Sequence, residues 1–195
     1  MVFGGVDTRK IAVCAPEGPE SDVIYSTRLV SHKRVDLLLS ASEISGRKLG
    51  RPIKGVITGD GPLKEDLKRQ AYNMEIDFWF TGWLEQPEEV WGHMKNSKVM
   101  VHTSQREGFG FVALEAMACG IPVIAMDEET TAIGELVDDG KNGYITSPDP
   151  ESVSDAILKA LDNYEGMAPS CVDRADTFSW ESSGKSLVRA YTLNG

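Results

Sequence analysis

Short apolar runs alternate along this chain with segments whose apolar residues recur every three or four positions. Those two periods predict strands and helices in regular succession. The first strand is expected at residues 22–30, followed by a helix at 34–45 with Val35, Leu38, Leu39 and Ser42 on one face. Further strands are expected at 53–58, 77–81, 98–103, 121–126 and 144–146, separated by helices at 63–72, 87–95, 111–119, 131–137 and 150–163. Gly82 ends the third strand, Pro87 opens a helix at its first turn, and Gly120 stops another. A closing helix is expected from about Trp180 to Tyr191. Residues 1–21, with Gly4-Gly5, Pro16, Gly18 and Pro19, show little periodicity and read as a lead-in to a domain at 22–195.

Strands alternating with helices of this length imply an α/β fold, a parallel sheet of about six strands covered on both faces. Right-handed crossovers make such a sheet doubly wound. Ligands of these folds bind beyond the carboxyl ends of the strands, so functional residues belong in the strand-to-helix turns.

One turn stands out on chemical grounds. In Ser104-Gln105-Arg106-Glu107-Gly108-Phe109-Gly110, two glycines stand at the mouth of the helix that follows. Glycine lets backbone approach a ligand closely, and the free N–H groups and dipole of a helix start attract phosphate. From Phe111 to Cys119 the only polar side chain is Glu115. A carboxylate on an apolar helix is costly to bury unless something bonds it. A pair of ribose hydroxyls would suit it, since an ionised carboxylate accepts two hydrogen bonds. Glu107, just ahead of the glycines, would face whatever extends beyond the phosphates. The plainer readings are a tight turn for the glycines, a buried cation for Glu115 and a helix-start charge for Glu107; the combination favours binding. Gly108-x-Gly110-x-x-Ala113, with Asp127 downstream, also satisfies a dinucleotide fingerprint. It sits late in the chain rather than in the first strand-helix unit, which counts against an oxidoreductase.

Composition narrows the rest. The 195 residues suit a single domain, and a net charge of −10 argues against nucleic acid as a partner. An anionic ligand would therefore need a local cationic site. Cys14, Cys119 and Cys171 are too few and too scattered for a disulfide framework or a zinc site, and free thiols fit a reducing compartment. No apolar run approaches the roughly 20 residues that span a bilayer. Met1 is not followed by a cationic, apolar leader, so a cytoplasmic location is expected.

The segment EGFGFVALEAMACGIPVIA, with seven residues between Glu107 and Glu115, resembles the E-x7-E motif of glycosyltransferase family 4, whose members have the GT-B fold of two Rossmann-like domains. YSTRLVSHKRVDLLLSA from Tyr25, GVITGDGPLKEDL from Gly55, Phe80-Thr81-Gly82, ELVDDGKNGYI from Glu135 and Phe178-Ser179-Trp180-Glu181 resemble other parts of the same pattern. The resemblance covers about residues 4–191. It implies a Rossmann-like domain that binds a UDP-, GDP- or ADP-sugar for retaining hexosyl transfer to an acceptor glycan or lipid. Arg28 and Lys33 would hold the diphosphate and Glu107 the sugar hydroxyls. Gly108, Phe109 and Gly110 would offer backbone N–H groups, Glu115 would hold the ribose, Gly59 and Gly61 would line the cleft, and Leu84 would lie near the base. No cofactor or metal is expected, because the cations and the helix start would carry the leaving-group charge. The match begins at a stretch like the family's interdomain linker. The acceptor-binding N-terminal half is thus expected to lie outside this sequence, and with it any peripheral membrane contact; the fragment alone would transfer little sugar. Two departures are visible: Thr130–Glu135 lacks the Gly-Gly common in relatives, and Gly4 replaces an asparagine. A non-catalytic nucleotide-sugar-binding module, or an epimerase of the same fold, is the remaining alternative.

Overall fold

The computed structural model describes residues 5–130 and 132–185. Six parallel strands, β1 (Ser21–Ser26), β2 (Lys54–Thr58), β3 (Asp77–Gly82), β4 (Ser97–His102), β5 (Val123–Met126) and β6 (Gly143–Thr146), form one sheet. Its order is β3-β2-β1-β4-β5-β6. The order reverses between β1 and β4, so the crevice of this doubly wound sheet opens beyond their carboxyl ends. β1, β4 and β5 are buried almost throughout, as strands covered on both faces must be; β3, at the edge, is half exposed.

The helices are α1 (Thr8–Val13), α2 (Val35–Leu49), α3 (Lys64–Asn73), α4 (Pro87–Lys95), α5 (Phe111–Ala118) and α6 (Pro150–Thr177). α6 packs against both α2 and α5. Residues 180–185 are helical; the rest of the expected closing helix, with Gly4 and Thr131, lies outside the described residues. No described helix is long and apolar enough to cross a membrane.

Four expectations are corrected. β1 stops at Ser26, not at residue 30, because Leu29 and Val30 are loop residues. Leu29 is apolar and fully buried without being in a strand. The expected helix at 131–137 is a single 3-10 turn, Ile133–Glu135. The helix expected to end at 163 continues to Thr177, with a break at Asn163. Gly166 and Pro169 read as breakers, yet Met167, Cys171 and Ala175 carry a buried stripe at four-residue spacing across them. The lead-in contains α1, capped by the Asp7 carboxylate accepting from the Lys10 amide at 3.0 Å, and it buries Val6 and Ile11 in the common core.

The amino end of the sheet is held by one buried acid. Asp22 accepts two hydrogen bonds from the Arg51 guanidinium at 2.6 and 3.0 Å, one from the Lys54 amide at 3.1 Å and one from Lys98 at 3.1 Å. Burial pushes its pKa up, but Arg51, the Lys54 amide and Lys98 together outweigh that and bring it to about 2. A depressed carboxylate contributes stability that is complete above its unfolded pKa and lost as pH falls through the folded one. Removing one partner of a buried pair costs about 3–5 kcal/mol, but both cations here are partly exposed and can rehydrate. Asp22→Ala is therefore expected to cost about 1–3 kcal/mol at pH 7. In urea titrations its deficit should shrink between about pH 4 and pH 2; a deficit that stays constant across that range would refute the assignment.

Candidate functional site

The loop after β1 is drawn against the loops after β2 and β4. The Thr27 amide donates to the Thr58 carbonyl and the Leu29 amide to the Asp60 carbonyl, both at 2.9 Å. Gly59, at φ 118°, makes this approach possible: a Cβ there would lie 2.0 Å from the Thr27 carbonyl oxygen. Gly61 is packed as closely, against the Leu29 backbone. Ser31–Lys33 then forms one 3-10 turn, and Arg34 follows in the left-handed region at φ 47° and ψ 47°. That conformation costs a non-glycine residue about 1–2 kcal/mol and is held here by its surroundings. The Thr103 hydroxyl lies 2.9 Å from the Lys33 carbonyl and 2.8 Å from that of Arg34; the Tyr25 hydroxyl donates to the Lys33 carbonyl at 3.2 Å. The Gln105 amide donates to the His32 carbonyl at 2.9 Å. The backbone under Lys33 is thus fixed by β1 and by the loop after β4. Arg34, to which the sequence assigns no role, is half-buried and donates to the Pro148 carbonyl.

Two neighbouring groups of side chains result. The first surrounds a cavity of about 430 Å³ lined by Arg28, Gly59, Asp60, Trp83, Leu84, Trp91, Phe111 and Glu115, with others from the same elements. It brings together Arg28, Gly59, Leu84 and Glu115 of the residues chosen from sequence. Trp83 and Phe111 present exposed rings at its rim. Glu115 meets no Lys or Arg at ion-pair distance among the described residues. Burial raises its pKa, and the Trp91 indole N–H pulls it part of the way back. That N–H closes no hydrogen bond of good geometry.

The second group joins Lys33 and Glu107 across the switch point. Lys33 Nζ lies 2.6 Å from Glu107 Oε2, and His102 Nε2 lies 3.4 Å from the same oxygen. The His102 ring first, and Lys33 with it, hold the Glu107 carboxyl down at about 2 against the opposing effect of burial. Gly108 is exposed, and a Cβ there would touch nothing; Gly110, at φ 83°, caps α5 and lets the loop close on Ile133. Gly61, Gly108, Phe109 and Gly110 do not line the cavity itself. Sequence reasoning missed His102, Trp83 and Trp91. His102 reads as the polar end of an apolar strand, and the tryptophans carry no spacing signal.

Among the described residues no cluster of three metal-ligating side chains occurs. The three cysteines are free; burial pushes the thiols of Cys119 and Cys171 up to about 12.

The profile of a family described as "Glycosyl transferases group 1" matches residues 8–176. The GDP-mannose-dependent alpha-(1-6)-phosphatidylinositol dimannoside mannosyltransferase of Mycobacterium tuberculosis is 31% identical over 134 residues, covering 68% of this chain and 34% of the relative. The poly(ribitol-phosphate) alpha-N-acetylglucosaminyltransferase of Staphylococcus aureus is 31% identical over 147 residues, covering 74% of this chain and 29% of its own length. The chain thus spans about a third of the curated relatives it matches. The Anabaena protein HepE, solved in complex with UDP, superposes with a TM-score of 0.78 over 98% of this chain and 57% of its own, at 19% identity.

Proposed function

Because the chain belongs to the glycosyl transferases group 1 family, we propose that it is the donor-binding, C-terminal part of a retaining glycosyltransferase of family 4. The whole enzyme moves a hexose from a nucleoside diphosphate to an acceptor hydroxyl in glycan, lipid-linked oligosaccharide or polysaccharide synthesis. A further half, beyond this chain, holds the acceptor. The observation that carries the reading is Glu115: a carboxylate with no cation beside it among the described residues, lining a cavity at the switch point of the sheet.

In this reading the ribose hydroxyls donate to the Glu115 carboxylate, replacing the hydration that burial removed. The base lies toward Leu84 and the exposed face of Trp83, with Gly59 keeping the cleft wall low. The diphosphate runs past Arg28 toward Lys33 and the amides of Gly108, Phe109 and Gly110 at the start of α5, where a helix dipole favours negative charge. These groups stabilise the charge that grows on the leaving diphosphate. Glu107 orients the sugar hydroxyls and stands by the anomeric carbon as an electrostatic group. The relatives differ in donor: one is named for GDP-mannose and another protein holds UDP. A dinucleotide oxidoreductase is disfavoured by the family, and its fingerprint here opens α5 after the fourth strand rather than the first.

Thermal-shift measurements with UDP-glucose, UDP-N-acetylglucosamine, GDP-mannose and ADP-glucose test the assignment. A ligand at a hundred times its Kd stabilises the native state by about 2.7 kcal/mol. For a chain of this size, at roughly 2–4 °C per kcal/mol, at least one donor should raise Tm by about 5–10 °C. Tight binding of a nicotinamide dinucleotide, with none of the nucleotide sugars bound, would reverse the reading.

A further inference from the structure

His102 closes β4 and is 2% exposed. Its Nε2 is buried and closes no hydrogen bond of good geometry, although it points at a carboxylate oxygen 3.4 Å away. That oxygen, Glu107 Oε2, also receives Lys33 Nζ at 2.6 Å. The flank of the ring lies against Tyr25 of β1, centroids 5.3 Å apart and planes at 65°. Among the described residues, the titratable groups facing the ring are therefore Glu107 from the loop after β4, Lys33 from the loop after β1, and Tyr25 from β1 itself.

We propose that His102 is a positioning residue that acts through Glu107, taking up a proton from solvent when a donor diphosphate draws Lys33 away from that carboxylate. The proposal rests on the reading of Lys33 as a diphosphate ligand. In the free protein the charges balance without His102: Lys33 neutralises Glu107, and burial outweighs Glu107 to keep the imidazole below its ordinary pKa and neutral. A diphosphate offers Lys33 a second set of anionic oxygens. As Nζ turns to them, Glu107 is left partly buried beside a neutral ring, and sugar hydroxyls can hydrogen-bond its negative charge but no other cation among the described residues neutralises it. A buried charge without a partner is costly, whereas a proton on the ring makes it an imidazolium facing Oε2. The ring has two nitrogens; the neutral form carries one proton and the cation two, so one proton enters per donor bound. Glu107 stays ionised and anchored on the β4 side while Lys33 serves the phosphates.

Proton uptake is read by calorimetry of UDP-glucose, UDP-N-acetylglucosamine and GDP-mannose in two buffers of different ionisation enthalpy, across the range where imidazole titrates, about pH 5–8. The esterified diphosphate of these probes does not titrate there. The expected result is uptake approaching one proton per ligand, with affinity tightening by up to about tenfold per pH unit on acidification. His102→Gln, which keeps a side-chain N–H, should abolish both. Binding with no proton uptake, or uptake unchanged in His102→Gln, overturns the proposal alone. No binding of any probe overturns the donor reading and the proposal together. A second measurement needs neither ligand nor a folded His102 variant. In Lys33→Met, Glu107 has lost its cation, so the NMR-observed titration of His102 should move to higher pH than in the native chain; an unmoved titration also overturns the proposal.

Discussion

Glu115→Leu is expected to make the fold more stable while weakening nucleoside diphosphate binding by about 1–3 kcal/mol, roughly 5- to 150-fold. The two effects share one cause. Glu115 lies on a helix that is otherwise apolar, beside a cavity, with the Trp91 indole as the nearest offsetting group. Its raised pKa means that the folded chain holds the carboxyl proton more tightly than the unfolded chain does. The ionised form therefore costs stability at pH 7, and that cost fades as pH falls through the folded value. Leucine has similar reach and no charge to desolvate, so a gain of about 1–2 kcal/mol in urea denaturation follows. On the proposed reading the ribose would lose its acceptor, which calorimetry with UDP and GDP measures. A destabilised Leu variant would mean that the carboxylate serves the structure. Unchanged affinity in a stabilised variant would remove Glu115 from the ribose. Residues that weaken the fold and strengthen ligand binding are expected at binding sites.

The strands and helices of a doubly wound sheet were readable in the sequence, because parallel strands buried on both faces give continuous apolar runs and the intervening helices give a different period; the order of the strands was not. The sequence also singled out Glu115 as a candidate, since a lone acid among apolar neighbours breaks the local pattern. Sequence alone did not reveal pairings made through the sheet. Lys33 and Glu107 are separated by 74 positions and meet because β1 and β4 are adjacent at the switch point. His102 gives no signal at all until that adjacency places its ring beside Glu107. Boundaries failed where burial and secondary structure part company. Leu29 is as buried as any strand residue, yet it sits in a loop. Across 164–177, breaker residues were outweighed by the packing of Met167, Cys171 and Ala175.

Replacing both Arg28 and Lys33 with alanine is expected to weaken nucleoside diphosphate binding by about 100-fold or more, and nucleoside binding hardly at all. Each cation would make charge-assisted hydrogen bonds to phosphate oxygens, worth about 1.5–3 kcal/mol apiece. Arg28 is exposed, and solvent screening reduces its share, so the pair falls short of the full sum. Lys33 is different. Its side chain is 15% exposed, its backbone is clamped by Tyr25 and Thr103, and Glu107 already holds its ammonium group. That pre-placement lowers the entropy lost on gripping a ligand, at the expense of a competing carboxylate 2.6 Å away. The single variants should therefore differ: Arg28→Ala acts through a screened charge and is expected to matter less as salt is raised, whereas Lys33→Ala keeps its effect. Lys33→Ala also strips Glu107 of a cation, so its carboxyl should titrate at higher pH than about 2. Calorimetry of UDP against uridine, and of GDP against guanosine, separates the phosphate contribution from that of the base. Equal losses for nucleotide and nucleoside would show that the two cations support the loop rather than the diphosphate.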